Sequence, residues 1–160
     1  MDTRTAPARL RIERLREHLA SLNIQAALVP SSDPHISEYL PEHWQGRAWF
    51  SGFTGSMGTL VVTLRDAALF ADSRYWEQAE TELAGSGIGL VKIPTGAAAH
   101  HLSWINEHLQ AGETLAVDAQ VLGLADAQAL RLSCEAAGIR LRTDLDPLAG
   151  AWPEIGRAHV

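Results

Sequence analysis

Residues 59–72 read TLVVTLRDAALFAD, and the way this stretch divides decides the fold. Apolar residues rich in β-branching fill Leu60 to Leu64 and Ala67 to Ala71, and Arg65 and Asp66 between them form a tight polar turn. The spacing predicts two strands paired as an antiparallel hairpin. Upstream, Ile12, Leu15, Leu19 and Leu22 recur at three and four, which predicts an amphipathic helix from Ala8 to Leu22. A short buried strand, Gln25 to Val29, follows and is closed by Pro30 and the turn-forming SSDP.

Downstream, Asp72 or Ser73 is placed to cap a helix carrying RYWEQAETELAG, with Trp76, Ala79 and Leu83 on one face. Strand and helix then alternate: Gly89 to Ile93, a helix from Ala97 to Leu109, Thr114 to Asp118, a helix from Leu124 to Ala137 closed by Gly138, and Ile139 to Arg142. In the last strand apolar residues alternate with arginines, so one face is buried and the other wet. Alternation of this kind makes an α/β fold, a three-layer domain with a mixed, mostly parallel sheet of about six strands flanked by helices.

The chain has 160 residues, enough for one compact domain with its own core. Its formal charge of -6 argues against a general nucleic-acid binder, which needs a clustered positive surface. Arginines do gather at Arg4, Arg9, Arg11, Arg14 and Arg16, but Glu13 and Glu17 interleave with them, and the segment reads as a solvated helix face. There is no run of eighteen apolar residues and no apolar signal core, so neither a membrane nor export is expected and the cytoplasm is the expected compartment. Cys134, the single cysteine, shares a helical face with Leu130 and Ala137 and reads as packing.

The stretch Arg47 to Gly58, RAWFSGFTGSMG, has glycines at spacing three. It leads into a strand and is followed by no lysine, so it offers a phosphate neither a helix N-terminus nor a cation. Its glycines instead permit close backbone approach and unusual dihedrals, with Trp49, Phe50 and Phe53 as anchors. In DPHISEYLPEHW, Asp33, His35, Glu38 and His43 lie close together; a hydrogen-bonded structural or substrate-facing role is favoured over a metal site, because no second ligand pair occurs at recognisable spacing. His100 and His101 are adjacent at a helix start and suit surface or capping roles.

The ordered set DPHISEY, RAWFSGFTGSMGT and ADSRYWEQA resembles the creatinase-type N-terminal domain of Xaa-Pro aminopeptidase (aminopeptidase P), a pita-bread metallopeptidase, in its long three-domain form. The resemblance runs from Leu10 to Trp152 and implies a domain spanning residues 8–152. It implies a cytosolic hydrolase that releases the N-terminal residue from peptides with proline second. In that family two divalent metal ions, usually manganese, are held by two aspartates, a histidine and two glutamates, and activate a bridging water. All five ligands belong to the C-terminal domain, so this chain is expected to be inactive alone, to hold no metal and no catalytic residue, and to shape the substrate-side wall and subunit contacts of a homodimer.

Within the matched motif, Arg74 corresponds to the family's peptide-binding arginine, whose planar fork suits a peptide carbonyl or carboxylate. Asp33, His35, Phe53, Tyr75 and Trp76 are further candidates for the same wall. Ser73 departs from the pattern, standing where a glycine is common. Two alternatives accompany this reading: a non-catalytic interaction module of peptidase-like fold, and the N-terminal domain of a creatinase-type amidinohydrolase. The final EIGRAHV, residues 154–160, has neither apolar periodicity nor turn logic, and it back-translates to a common sequencing-adapter read. We expect this tail to be non-native; an independent read of the locus tests that.

Overall fold

The computed structural model describes residues 6–30, 47, 49–53, 58–94, 100–118, 122 and 124–151. The cluster of Asp33, His35, Glu38 and His43 and the tail 154–160 lie outside the described residues.

The described elements run α1 (Ala6–Ser21), β1 (Ala26–Val29), β2 (Thr59–Thr63), β3 (Ala67–Asp72), α2 (Trp76–Leu83), β4 (Gly89–Ile93), α3 (His100–His108), β5 (Thr114–Ala116), α4 (Leu124–Ala137) and β6 (Arg140–Arg142). The strands form one sheet in the order β4-β3-β2-β1-β5-β6. β2 is antiparallel to both β1 and β3, whereas the pairs β3/β4, β1/β5 and β5/β6 are parallel. All strands except β2 therefore point the same way, as the mixed, mostly parallel reading requires.

Both faces of the sheet are covered, and the side-chain period of two sorts each strand between them. Ala27, Val29, Leu60, Val62 and Leu69 pack towards α1 and α2 with Leu15, Leu19, Phe50, Phe53 and Leu83. Ala26, Leu28, Val61, Phe70 and Leu115 pack towards α3 and α4 with Ile105, Leu130 and Cys134. Burial on both faces explains why these strands are nearly continuous apolar runs. Edge strand β6 alternates instead: Leu141, with Ile139 just before the strand, packs on the second core, and Arg140 is exposed.

Three local expectations are corrected. The hairpin corner falls at Leu64 and Arg65, because Thr63 Oγ1 accepts the N–H groups of Arg65 and Asp66 at 3.2 and 2.8 Å and closes the turn one residue early. Leu64 consequently leaves the strand and is exposed. His101 is not a surface or capping residue; it packs edge-on to Phe70, with ring centroids 6.4 Å apart. The arginines of α1 are not merely a solvated face. Arg9 donates to Gly85 O at 3.2 and 3.0 Å, Arg11 to Trp49 O at 3.1 Å with its guanidinium over the Trp49 ring, and Arg16 to Thr63 O at 2.9 Å. Each reaches a backbone carbonyl on a different segment, so α1 is fastened at three separate points.

Candidate functional site

Because only β2 runs in reverse, the carboxyl ends of the other strands and the start of β2 share one edge of the sheet. Ligand sites in open α/β sheets lie outside such an edge. β3 delivers the motif DSRY, residues 72–75, to it, and Gly58 enters β2 beside it.

The motif folds as a turn ahead of α2. Tyr75 N–H donates to Asp72 O at 2.9 Å, and Arg74 N–H to Asp72 Oδ1 at 3.0 Å. Asp72 is thus committed to its own turn and does not cap the helix; the N-cap position is Tyr75, which makes no side-chain capping bond, so the expected cap by Asp72 or Ser73 is not formed. Ser73 stands without strain where a glycine is common, because Asn23 is the one non-glycine residue with positive φ among the described residues.

The same carboxylate holds the Arg74 side chain. Nε and Nη2 donate to Oδ1 and Oδ2 at 3.0 and 2.7 Å, a bidentate pair. Hydrogen bonding from Arg74 holds the Asp72 carboxyl below its ordinary range, and the same bond raises Arg74. The Arg74 side chain remains 57% exposed. A guanidinium has five N–H donors, and Asp72 takes those on its Nε edge, so the far edge of the fork faces solvent in a fixed orientation.

Tyr75 and Phe53 lie behind it. Their rings meet edge to face with centroids 6.2 Å apart, and the Arg74 Cζ sits 5.4 Å from the Tyr75 centroid. Trp76 is only half-buried and is absent from both cores; its Nε1–H donates to Ala71 O at 2.7 Å, and Lys92 Nζ lies 5.5 Å from its ring. The structure therefore brings Phe53, Arg74 and Tyr75 together, whereas the Trp76 side chain meets Ala71 and Lys92, and Asp33 and His35 lie outside the described residues.

One residue escaped the sequence reading although it heads the glycine-rich motif. Arg47 is 1% exposed, its Nη1 donates to Gly58 O at 2.9 Å, and its Cζ lies 5.4 Å from the Phe53 centroid. Burial pulls its guanidinium down to about 10, opposed by the nearby Tyr75. Two of the motif's glycines behave as expected: Gly52 has φ +77°, and a Cβ at Gly58 would lie 2.9 Å from Phe53 Cε2. Phe50 and Phe53 are fully buried anchors.

Among the described residues no group of three or more His, Cys, Asp or Glu is placed to hold a metal ion, so these residues do not fit a metal centre. Nor is any helix long and apolar enough to cross a membrane among them. Cys134 is buried and its thiol is pushed up by burial, as a packing role requires.

A family model for the creatinase/prolidase N-terminal domain matches residues 11–146. Xaa-Pro aminopeptidase 2 of Rattus norvegicus is 49% identical over 74 residues, covering 46% of this chain and 11% of its own length. A probable Xaa-Pro aminopeptidase P of Talaromyces marneffei is 34% identical over 145 residues, covering 88% of this chain and 21% of its own. The X-prolyl aminopeptidase of Caenorhabditis elegans, described as a cytosolic enzyme with a di-nuclear active site, superposes with a TM-score of 0.73 at 28% identity, over 86% of this chain and 24% of that one. The N-terminal domain of a cytoplasmic peptidase from Mycobacterium tuberculosis shares the fold, with a TM-score of 0.65 at 23% identity over 90% of this chain and 99% of that one. These two aminopeptidase sequences are thus matched over only 11% and 21% of their own lengths.

Proposed function

Since the chain belongs to the creatinase/prolidase N-terminal domain family, we propose that it is the N-terminal domain, residues 8–152, of a metal-dependent Xaa-Pro aminopeptidase and forms the substrate-side wall of its active site. The observation that carries this reading is the Arg74 fork, held on one edge by Asp72 and presented on the other at the carboxyl edge of the sheet. A pre-oriented guanidinium loses little freedom when it donates to a peptide carbonyl or carboxylate. Tyr75 and Phe53 support it from behind, and the half-buried Trp76, next in the chain, is a further member of the proposed wall. Asp33 and His35 complete the proposed wall.

The reaction centre belongs to the rest of the enzyme in this reading. Two divalent ions, manganese by family resemblance, would supply the hydrolytic chemistry there; this domain contributes binding and orientation. The description of the nematode relative as di-nuclear and cytosolic supports two metals and a cytosolic setting. A homodimer and a substrate with proline in second place complete the proposal.

The test is to express the full-length gene product and assay it with manganese on matched peptides carrying proline or alanine second. Release of the N-terminal residue only from the proline peptide is the expected result. Cleavage indifferent to that position, or none with metal supplied, would refute the assignment.

A further inference from the structure

We propose that Arg47 is a positioning residue for Arg74, acting through Phe53 and Tyr75; this rests on the proposed peptide-binding role of Arg74. Four side chains run in series from the interior to the surface. The Arg47 guanidinium faces the Phe53 ring at 5.4 Å, Phe53 meets Tyr75 edge to face at 6.2 Å, and the Arg74 guanidinium lies 5.4 Å from the Tyr75 ring. Two cations thus bracket two rings, an arrangement favoured by the negative potential of aromatic faces.

The inner end of the series is anchored. Arg47 is fully buried and donates through Nη1 to Gly58 O at 2.9 Å, where the chain enters β2. Its own carbonyl accepts from Ser51 Oγ at 2.7 Å, and Ser51 Oγ accepts the Phe53 N–H at 3.0 Å. Phe53 is therefore fixed at its backbone by the turn that begins at Arg47, and its ring fills the space that Gly58 leaves by having no Cβ.

The outer end has fewer restraints. Among the described residues Arg74 hydrogen-bonds to Asp72 alone, and its side chain is largely exposed. Asp72 sets which edge of the fork is presented, and the ring of Tyr75 sets the side on which the fork can lie. A buried charge costs folding free energy unless well satisfied. An arginine at the inner end, bonded to Gly58 O and set against the Phe53 ring, carries a desolvation cost that an apolar side chain would not.

The test is a double-mutant cycle in the full-length enzyme, combining Arg47→Lys with Arg74→Ala and reading KM, kcat and thermal midpoint. Lysine keeps the charge and loses the planar fork. Phe53→Leu serves as a second entry to the same series, one that keeps the Arg47 guanidinium and its bond to Gly58 O. If Arg47 works through Arg74, Arg47→Lys and Phe53→Leu each lower kcat/KM about tenfold, chiefly through KM, and lose most of that effect in the Arg74→Ala background. Equal losses in both backgrounds would overturn the proposal and leave Arg47 structural. A silent Arg74→Ala in an otherwise active enzyme would remove the role of Arg74, and this proposal with it.

Discussion

Gly58→Ala is the substitution whose effect the structure defines most narrowly. The backbone at Gly58 does not adopt positive φ, so alanine meets no dihedral penalty there; the cost is contact alone. An added Cβ would lie 2.9 Å from Phe53 Cε2, closer than such atoms approach in proteins, and 3.4 Å from Cδ2. Phe53 is fully buried against the first core, and its ring is held between Arg47 and Tyr75. It cannot swing aside as a surface side chain would. Overpacking of a fixed core costs about 1–3 kcal/mol, which for a domain of this size lowers the melting temperature by roughly 3–10 °C. Thermal unfolding of the chain, followed by circular dichroism, measures it. Phe53→Leu removes the clashing atom, so the double variant should lose less than the sum of the two single losses, by about 1 kcal/mol or more. A neutral Gly58→Ala, or strict additivity with Phe53→Leu, would refute the contact argument.

Arg74→Ala in the full-length enzyme should lower kcat/KM on a proline peptide about ten- to a hundredfold with an unchanged fold. In the same variant the Asp72 carboxyl, held low chiefly by the Arg74 side chain, should titrate higher than in the parent while the backbone N–H of residue 74 still holds it down, a rise that carboxyl NMR reads directly. Burial against Phe70 depresses His101 below its ordinary value of 6.5, so the folded protein binds its proton less readily than the unfolded chain. Its contribution to stability is then intact above about pH 6.5 and is lost as pH falls through the depressed value; denaturant midpoints should show that slope, and His101→Gln should flatten it. Cys134, buried with its thiol raised, should react with a disulfide reagent only at the rate of unfolding, and fast labelling of the native chain would contradict its place in the second core.

Most of the secondary structure was legible because its causes are local. Strands buried on both faces must be apolar at every position, which is why AALV, TLVVT and AALFAD announce themselves. Helix α1 carries its core contacts at three and four, and Ile12, Leu15 and Leu19 are all buried. The hairpin corner was misplaced by one residue because a single hydroxyl, Thr63 Oγ1, decides between two turns that the sequence permits equally. In the candidate site, Arg74, Tyr75 and Trp76 were found through a motif that is contiguous in the chain.

What the sequence by itself determined, then, is the set of elements, the alternation that makes an α/β layer structure, and the motif that carries Arg74. The order of the strands, the three carbonyls that receive Arg9, Arg11 and Arg16, and the line from Arg47 to Arg74 were decided only by the tertiary structure. The physical reason is range. Propensity and periodicity act over a few residues, whereas Arg9 finds its acceptor 76 residues away and Arg16 finds one 47 residues away. An arginine among glutamates looks the same whether its partner is water or a distant carbonyl, until the chain has folded and brought that carbonyl within reach.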